Sequence, residues 1–414
     1  MKIAILGFGK EGKSLLSFLR KSRDYRGAKI KVLDQKRDRK YLKNLADFDL
    51  IFRSPGIPYS LPELTRAREA GVKFSSATKI FFSLVDSRKI IGVTGTKGKG
   101  TTCTLIYQIL KKAGKKVVLA GNIGKSMLEI LPQAQKADYV VLELSSFQLQ
   151  DLKVSPHVAV VLDVFPDHLD AHKNLKEYYD VKANIGRFQG KNDAIFYFAD
   201  NAVTKRIVQK SPAKKFPIIP KENNLRKNYE VAAAVAGRLG CSKSVITEII
   251  RTFRSLEHRL EAVRMMRYKH SNILQNVGML FVNDSAATNP GATAAAIRSF
   301  KEPLILIAGG RSKINDFSAM AKAIRDAKNL QMVILFGENR EEIHSAIRKE
   351  FNMSKKIIAA PHIVLKPDLK SAIQLAYQFA KSLIINHESS VIVLFSPASA
   401  SFDQFKNYAD RGKK

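Results

Sequence analysis

Residues 90–104 have the glycine-rich sequence Ile90-Ile91-Gly92-Val93-Thr94-Gly95-Thr96-Lys97-Gly98-Lys99-Gly100-Thr101-Thr102-Cys103-Thr104. An apolar run over residues 89–93 predicts a buried strand, and apolar residues at helical spacing over residues 101–110 predict a helix. Glycines separated by lysines lie between the two. A strand, a glycine turn and a helix in this order direct backbone N–H groups and a helix N-terminus at one phosphate.

The side chains of this loop suit a nucleotide. Lys99 supplies a point charge for the outer phosphates, and Thr101 or Thr102 offers a hydroxyl to Mg²⁺. The strict pattern G-x-x-x-x-G-K-[ST] is not met, because Val93 replaces its first glycine and Gly100 replaces its hydroxyl residue. An ordinary glycine turn is therefore the alternative for this stretch alone, and we favour the nucleotide.

Length and composition indicate a globular protein of two to four domains. The chain has 414 residues, and its apolar fraction of 45% is ordinary. No apolar run approaches the length of a membrane span, and a strand begins at once at the N-terminus, so we expect neither membrane insertion nor a signal peptide. Cys103 and Cys241 lack a neighbouring thiol or metal-type spacing, which predicts a cytoplasmic protein.

The net charge of +33 is unusual, with 70 Lys and Arg against 37 Asp and Glu. A nucleic-acid partner is one explanation. The basic residues are nevertheless spread over the whole chain, without an aromatic–basic RNA motif or a zinc finger, so we expect no specific nucleic-acid partner. A lysine-rich proteome or a polyanionic substrate explains the charge equally well. Weak, salt-sensitive association with polyanions is expected in any case.

Residues 1–88 have the pattern of a small α/β unit. Strands are predicted at 3–6, 29–33, 49–52 and 72–74, with a helix at 14–19. Gly7, Gly9 and Gly12 form G-x-G-x-x-G, and Asp34 follows 22 positions after Gly12. This pattern predicts a diphosphate at a helix N-terminus and a ribose hydroxyl on Asp34, without specifying NAD. A plain strand–helix turn is the alternative.

Residues 89–256 form the predicted nucleotide unit. Further strands are predicted at 115–120, 138–142, 158–162 and 194–198, with helices at 178–185 and at 228–239, the second ending at Gly240. Glu143 ends a strand beside the phosphate loop, which is where Mg²⁺ is usually held. A metal site and a capped loop are equally compatible with the cluster Asp167, His168, Asp170 and His172.

Residues 257–414 form a third α/β unit, after a hinge predicted around residues 253–261. Strands are predicted at 279–282, 304–308, 332–336 and 391–395. Each strand is followed by a polar loop, at 283–285, 309–313, 337–339 and 396–397. Because the carboxyl ends of parallel strands form the ligand face of such sheets, these loops predict a binding edge.

The motifs, taken together, resemble those of the Mur ligase family, and they occur in order over the whole chain. They are Gly95-Thr96-x-Gly98-Lys99, Gly121-Asn122-Ile123-Gly124, Glu143-Leu144-Ser145-Ser146-Phe147-Gln148, Asp167-His168-Leu169-Asp170, Leu256-x-His258-Arg259-x-Glu261, Asn283-Asp284-Ser285-x-x-Thr288-Asn289 and Ser396-Pro397-Ala398-x-Ala400-Ser401-Phe402-Asp403-x-Phe405. The resemblance implies an α/β fold of three tandem domains: a Rossmann-like UDP-sugar domain (1–88), a P-loop-type ATPase domain (89–256) and a Rossmann-like amino-acid domain (257–414).

The resemblance also implies the reaction. In this family ATP phosphorylates a substrate carboxylate, and an amine then attacks the acyl phosphate. The motifs at 143–148 and 396–405 imply the member that adds D-glutamate to UDP-N-acetylmuramoyl-L-alanine in peptidoglycan precursor synthesis. ATP and two Mg²⁺ ions are the implied cofactors, and we expect a monomer.

Site residues follow from the same resemblance. Lys99 is implied to contact the β- and γ-phosphates, Glu143 to hold one Mg²⁺ and His168 to help hold the second. Lys182 matches a lysine that CO₂ carbamylates to a metal-facing carboxylate, and a surface lysine on a helix is the alternative. The implied catalytic residues are Lys99, Glu143, His168 and Lys182, and the implied metal ligands are Thr101, Glu143, His168 and Lys182.

The remaining implied contacts belong to the substrates. For ATP they are Gly95, Thr96, Lys97, Gly98, Lys99, Gly100, Thr101, Asn228, Arg259 and Asp284. For the UDP sugar they are Gly9, Lys10, Glu11, Asp34, Gly56, Asn122, Ser145 and Gln148, and the muramoyl-alanine arm runs past Ser145, Gln148 and His168. For D-glutamate they are Thr288, Lys313, Ser401 and Phe402. A dicarboxylate amino acid needs a cation and hydroxyl donors, which Lys313 and Ser401 supply.

The sequence departs from the family pattern at several positions. Gly100 replaces Ser or Thr, so Thr101 is expected to take over the Mg²⁺ contact. Lys97 replaces Asn, Ala286 replaces an active-site Lys, and Asn224-Leu225 replaces a His-Asn pair. These changes leave the nucleotide geometry and, to a smaller degree, the choice of amino acid open.

Three different functions are also compatible with parts of the sequence. One is another ligase of the superfamily with a different amino acid, such as a folylpolyglutamate synthase, although the N-terminal UDP-type unit argues against it. A second is an NAD-binding oxidoreductase, from the glycine pattern at residues 7–12 and Asp34. A third is a basic nucleic-acid binder, from the net charge.

Overall fold

Three β-sheets and their connecting helices make up the protein in the computed structural model, which describes residues 1–122, 124–166, 171–220, 227–253, 256–268, 277–312, 316–353, 361–387 and 390–414. The first two sheets belong to one compact unit, which includes residues 1–220 and 227–253, and the third sheet belongs to a second unit, from residue 256 onward. The predicted α/β fold class is confirmed.

The first sheet has four parallel strands. They are β1 (Lys2–Leu6), β2 (Lys29–Leu33), β3 (Leu50–Arg53) and β4 (Lys73–Ser75), in the spatial order β2-β1-β3-β4. The helices are α1 (Lys10–Lys21), α2 (Pro62–Glu69) and α3 (Ala77–Leu84). Because α1 directly follows the central strand β1, its N-terminus lies at the carboxyl edge of the sheet, where ligands bind in such folds.

The second sheet has six parallel strands and carries the phosphate loop. They are β5 (Ile90–Thr94), β6 (Val117–Gly121), β7 (Tyr139–Glu143), β8 (Val158–Val161), β9 (Ala194–Phe198) and β10 (Lys214–Ile218), in the order β10-β9-β8-β5-β7-β6. The helices are α4 (Lys99–Lys112), α5 (Leu131–Lys136), α6 (Ser146–Leu149), α7 (Leu175–Lys182), α8 (Asn184–Arg187), α9 (Ala202–Val208), α10 (Lys227–Arg238) and α11 (Lys243–Thr252). Every residue of β5 is buried, as expected for an inner parallel strand.

The first and second sheets share one apolar core. A single cluster of buried side chains includes Ile3 of β1, Phe81 of α3 and Leu142 of β7. Each such side chain contributes about 1.5–3 kcal/mol when fully buried. The buried Arg53 adds a polar link, since its Nη2 donates to the carbonyl of Phe147 at 3.0 Å. The two sheets are therefore packed as one body.

The second unit contains the third sheet. Its strands are β11 (Glu261–Tyr268), β12 (Val277–Asn283), β13 (Leu304–Gly309), β14 (Leu330–Phe336), β15 (His362–Leu365) and β16 (Val391–Phe395), in the order β11-β12-β16-β13-β14-β15. Among these strands, only β11 is antiparallel to its neighbour. The helices are α12 (Pro290–Ile297), α13 (Ser318–Asp326), α14 (Arg340–Asn352), α15 (Leu369–His387) and α16 (Tyr408–Gly412). Two apolar clusters pack against this sheet.

The helix predicted at 178–185 is wrong in its bounds. The structure has α7 from Leu175 to Lys182 and a separate α8. Asn174 caps the start of α7, since its side chain accepts from the N–H of Glu177 at 2.9 Å. After α7, the Asn184 side chain donates to the carbonyl of Leu149 at 2.9 Å. The cap is a local bond that moves the start of the helix to residue 175, whereas the bond from Asn184 is tertiary and is not visible in helical periodicity.

The sequence analysis did not identify the strands β10, β11 and β15. All three lie at or beside a sheet edge, where the apolar pattern is weakest. Pro217 stands in β10, which an edge strand tolerates. In β11 the apolar Val263 and Met265 are 60% and 56% exposed, so burial does not follow the strand pattern there.

No helix among the described residues is both long and apolar enough to cross a bilayer.

Candidate active site

The phosphate loop connects β5 to α4 as predicted. Strand β5 ends at Thr94, and α4 begins at Lys99 with Gly98 as its N-cap. Gly98 has φ +81°, and a Cβ at this position would lie 2.4 Å from Oδ1 of Asn228. Only glycine fits this close approach. The loop therefore wraps directly over Asn228, at the helix N-terminus that is suited to bind an anion.

Two lysines from separate motifs meet at this loop. The Lys99 amine donates to the carbonyls of Gly95 and Thr96 at 2.9 and 3.1 Å. The Lys182 amine donates to the same carbonyl of Gly95 at 3.1 Å, and Lys182 is only 2% exposed. The structure thus brings together two predicted catalytic residues that are 83 positions apart. Both side chains thus lie beside the loop, and the Lys99 amine raises the positive potential where the outer phosphates of a nucleotide would bind.

Glu143 lies at the end of β7, beside the loop. Its register partner on β5 is Val93, and its side chain is buried. Oε1 accepts from the Asn122 side chain at 3.1 Å, whereas Oε2 has no hydrogen-bond partner in the described part of the chain. A buried carboxylate oxygen without a partner is uncommon and marks a place for a cation. The site therefore fits Mg²⁺, which prefers oxygen ligands.

A second buried oxygen, the hydroxyl of Thr94, lies at the end of the neighbouring strand β5. The Thr94 hydroxyl lacks a hydrogen-bond partner among the described residues, and the sequence analysis did not single it out. Thr101 is half-buried in the first turn of α4, and Gly100 is buried there. Within the described ranges, no group of three or more His, Cys, Asp and Glu side chains could hold a metal. Hydroxyl oxygens and the phosphates of a ligand are thus needed to complete a Mg²⁺ shell around Glu143.

Cys103 reports on the electrostatics of this region. Burial raises the pKa of its thiol well above the usual value of 9.0, and the charge of Glu143 raises it further. The charge of Lys99 acts in the opposite direction. Cys103 therefore remains a neutral, inert thiol that packs beneath the loop.

Tyr178 and Asp163 support the loop from below, and the sequence analysis assigned no role to either. The Thr96 hydroxyl lies 3.0 Å from the Tyr178 hydroxyl, and its oxygen accepts from the N–H of Phe165 at 2.9 Å. The N–H of Thr96 donates to the carbonyl of Asp163 at 2.7 Å. These contacts hold the loop in one conformation. Tyr178 could have been found from its place one helical turn before Lys182.

Asn228 is tied to the same support. Its neighbour Lys227 forms an ion pair with the Asp163 carboxylate, which also accepts from the Asn201 side chain at 3.3 Å. The Thr102 hydroxyl lies 3.5 Å from Asn228 Oδ1. The predicted nucleotide residue Asn228 is thus brought to the loop. Lys97 is half-buried in the loop itself.

The glycine turn of the first sheet is closely packed. A Cβ on Gly12 would lie 2.2 Å from the carbonyl of Gly7, so helix and strand meet only without a side chain. Asp34 accepts from the N–H groups of Lys36 at 2.9 Å and Phe8 at 2.6 Å. These two backbone hydrogen bonds lower the pKa of Asp34 and keep it ionised. The predicted ribose-binding carboxylate is therefore held at the tip of this turn.

Predicted UDP-sugar residues from both sheets meet within the first unit. Glu11 Oε1 accepts from the Gln148 side chain at 2.6 Å, and Gln148 Oε1 accepts from the N–H of Ser145 at 3.0 Å. Lys10 donates to the carbonyl of Gly124. Burial raises the pKa of Glu11, while the hydrogen bond from Gln148 and the charge of Arg53 lower it. The other predicted UDP-sugar residues Gly9, Gly56 and Asn122 are exposed.

In the second unit, predicted residues follow the carboxyl ends of β12 and β16. Asp284 accepts from the Ser396 hydroxyl at 2.8 Å and from the N–H of Leu260 at 3.2 Å. The latter bond brings Asp284 next to the exposed Arg259. Thr288 is half-buried, Ser401 is buried and Phe402 is 52% exposed.

Some predicted residues lie outside the described ranges. They are Ile123, the Asp167–Asp170 segment including His168, Asn224, Leu225 and Lys313. Of the predicted metal cluster, His172 is described. It is buried, its Nε2 lies 3.0 Å from the Ser146 hydroxyl, and its ring stacks on Phe147.

Comparisons with known proteins agree on one family. The Mur ligase middle domain matches residues 93–274, and the Mur ligase glutamate ligase domain matches residues 264–396. The UDP-N-acetylmuramoylalanine–D-glutamate ligase of Acetivibrio thermocellus is 35% identical, over 100% of this chain and 95% of that protein. The protein of the same name from Clostridium tetani is 32% identical, over 100% and 95%.

Solved structures show the same fold at low identity. The UDP-N-acetylmuramate-alanine ligase of Thermotoga maritima has a TM-score of 0.54 and 17% identity, over 99% of this chain and 97% of that chain. MurF from Acinetobacter baumannii has a TM-score of 0.55 and 16% identity, over 82% and 79%.

Proposed function

Because this chain belongs to the Mur ligase family of ATP-dependent ligases, we propose that it joins D-glutamate to UDP-N-acetylmuramoyl-L-alanine. The names of its relatives support this pair of substrates. The observation that carries the proposal is the meeting of Lys99 and Lys182 at the carbonyl of Gly95, beside the Glu143 oxygen that lacks a partner among the described residues. This arrangement suits the transfer of a phosphoryl group from ATP.

The proposed reaction has two steps. A carboxylate oxygen of the alanyl group attacks the γ-phosphorus of ATP, the bond from that phosphorus to the β–γ bridging oxygen breaks, and ADP leaves. The amine nitrogen of D-glutamate then attacks the acyl carbon and loses a proton. The tetrahedral intermediate expels inorganic phosphate, and the new amide remains. Catalysis of the first step needs positioning and charge stabilisation above all.

The phosphate loop performs the first of these tasks. The backbone N–H groups at the start of α4 and the Lys99 amine bind the outer phosphates of ATP. Lys99 is already held over the loop by the carbonyls of Gly95 and Thr96, so little reorganisation is needed. Tyr178 fixes the loop through Thr96. Preorganised charge of this kind typically lowers such a barrier more than any other single effect.

Two Mg²⁺ sites are proposed around Glu143 and Lys182. Mg²⁺, when bound, neutralises phosphate charge and polarises the phosphoryl group. Glu143 would hold one ion, since its Oε2 lacks a partner among the described residues, and Thr101 would contribute a hydroxyl from the first turn of α4. A carbamylated Lys182 and His168 would hold the second ion. Lys182 is buried at the phosphate loop, 3.1 Å from the carbonyl of Gly95, so a carbamate on this side chain would be shielded from bulk water.

The three sheets are proposed to divide the substrates. The first sheet, with Asp34 and the α1 N-terminus, binds the UDP group, and Glu11 and Gln148 guide its sugar arm toward the phosphate loop. The second sheet binds ATP. The third sheet binds D-glutamate through Thr288, Lys313, Ser401 and Phe402, while Arg259 and Asp284 contact the nucleotide. ATP and nucleotide sugars are cytoplasmic metabolites, so we place the enzyme in the cytoplasm. Separately, we propose that it acts as a monomer.

The decisive experiment measures phosphate release with UDP-N-acetylmuramoyl-L-alanine, ATP and Mg²⁺ against separate amino acids. We expect release with D-glutamate and little with L-glutamate, D-aspartate or L-alanine. Release with another amino acid alone would identify a different ligase of the family. Absence of release with the whole panel, from protein that still binds ATP, would refute the proposed substrates.

An oxidoreductase and a nucleic-acid binder are each tested by a separate measurement. Nicotinamide fluorescence on titration of NADH would rise if the glycine turn at residues 7–12 served an oxidoreductase, and we expect no change. A gel shift that persists at about 200 mM salt would support a specific nucleic-acid partner. We expect any shift to disappear at that salt, because unspecific phosphate contacts are lost as counterions compete.

A further inference from the structure

Arg411, in the last helix of the chain, is one of the most deeply buried side chains of the second unit. It lies in α16 and is 1% exposed. Its guanidinium uses all three nitrogens. Nε donates to the Ser285 hydroxyl at 3.1 Å, Nη1 to the carbonyl of Ala400 at 3.2 Å, and Nη2 to the carbonyls of Ser285 and Ser399, both at 3.0 Å. A buried cation with this many partners is a built feature of the fold.

The partners of Arg411 belong to two loops with different proposed substrates. Ser285 follows Asp284, which is proposed to contact the nucleotide. Ser399 and Ala400 precede Ser401, which is proposed to bind D-glutamate. Ala400 is in turn paired through both backbone groups with Arg311, in the loop after β13. One guanidinium therefore connects the loops after β12 and β16. Through Ala400, the second of these loops also pairs with the loop after β13.

We propose that Arg411 is a positioning residue, which holds the amino-acid loop at residues 399–401 in register with the nucleotide loop at residues 284–285. It touches neither substrate and acts through the backbone of both loops. This inference rests on the proposed function, because it assigns Asp284 and Ser401 to different substrates. A displacement of the amino-acid loop by about 1 Å would misplace the attacking amine and slow amide formation.

The shape of the guanidinium explains why arginine stands here. Its fork is planar and rigid, so a single side chain meets carbonyls from two directions. Lysine carries the same charge but presents one nitrogen, so it cannot satisfy both loops. Burial lowers the pKa of Arg411 to about 10, and the nearby Asp403 carboxylate opposes the shift. The side chain stays charged at neutral pH.

The test compares Arg411→Lys with the parent and with Arg325→Lys. Arg325 is a matched control, because it pairs with Asp326 and Glu350 away from the loops. We expect Arg411→Lys to raise the KM for D-glutamate by about tenfold or more and to change the KM for UDP-N-acetylmuramoyl-L-alanine by less than about twofold. Arg325→Lys should change neither KM.

Two further variants separate positioning from folding. Arg411→Ala should lose more activity than Arg411→Lys and, at a temperature where the variant is fully folded, should raise the KM for D-glutamate more than the KM for UDP-N-acetylmuramoyl-L-alanine, a selectivity that mere destabilisation would not produce. Ser285→Ala removes one of the partners and should raise the KM for D-glutamate in the same direction by a smaller factor. Should Arg411→Ala fail to fold, Arg411→Lys and Ser285→Ala decide.

The outcomes are distinct. Unchanged KM values in Arg411→Lys and Ser285→Ala, in protein whose parent turns over D-glutamate, would overturn the positioning role alone. A parent that uses no amino acid of the panel would instead overturn the proposed function.

Discussion

Replacement of Gly98 by alanine tests the close packing of the phosphate loop. Two costs follow from the structure. The φ of +81° places alanine in the left-handed region, which costs about 1–2 kcal/mol. The new Cβ would lie 2.4 Å from Asn228 Oδ1, so the amide must move and lose its contacts, at about 1 kcal/mol. The free energy of unfolding should fall by about 2–3 kcal/mol, or roughly 5–10 °C in Tm.

Gly114→Ala is the matched control. Gly114 has φ +78°, nearly that of Gly98, but a Cβ there meets nothing within 4 Å. It should therefore show the left-handed cost alone, about 1–2 kcal/mol. The difference between the two variants isolates the effect of the close approach.

The assays are thermal unfolding and ATP-dependent phosphate release. Gly98→Ala should also raise the KM for ATP by about tenfold or more, because Asn228 is displaced from the nucleotide, whereas Gly114→Ala should leave it unchanged. Asn228→Ala should cost less stability in the Gly98→Ala background than alone, because the crowding atom is gone. Equal Tm and equal KM for ATP in both glycine variants would refute the packing argument.

Three further predictions concern charged groups. Lys99→Ala should lower turnover by about two to three orders of magnitude, as removal of a preorganised charge does. Lys111→Ala, which changes an exposed lysine on the same helix, should leave turnover unchanged. Equal rates of phosphate release in the two variants would show that Lys99 is not part of the site. Lys182→Ala should lose activity and regain part of it with added formate or acetate, and absence of rescue in an assay of phosphate release would contradict the carbamate. Glu11 has a pKa raised above 4.5 by burial, so its contribution favours folding below that pH and is lost as the pH rises through the folded-state pKa. Glu11→Gln should therefore match or exceed the parent in Tm at neutral pH, and it should lose this advantage in acid, below the ordinary pKa of the group. The sign would be contradicted if the Tm of the variant, relative to that of the parent, were lower at neutral pH than in acid.

Much of the fold could be predicted because its inner strands are continuous apolar runs. Strands β5, β13 and β16 were predicted to within one residue, since burial on both faces leaves a signal that needs no tertiary information. The edge strands β2, β4 and β6 were also predicted, but the edge strands β10, β11 and β15 were missed, and β11 exposes Val263 and Met265. Their pairing depends on a neighbour far along the chain, which periodicity does not encode.

The candidate site was predictable where one short motif carries the chemistry. The glycine–lysine loop indicated Lys99, and the strand end indicated Glu143. The support beneath was not predictable, because Asp163 acts through a backbone carbonyl and Tyr178 through one hydroxyl. The role of Arg411 was not predictable for the same reason, since its contacts are mainly to main-chain oxygen atoms. Such roles depend on three-dimensional proximity and not on residue type.

The apolar cluster that joins the first two sheets determines how the enzyme melts and how it can be divided. Since Phe81 and Leu142 share one core, residues 1–253 should give a single calorimetric endotherm, with equal calorimetric and van't Hoff enthalpies. A fragment cut at residue 88 would expose that core and aggregate. The proposed substrate roles therefore divide the chain more finely than cooperative unfolding does. A truncation meant to isolate the first sheet would have to retain the second.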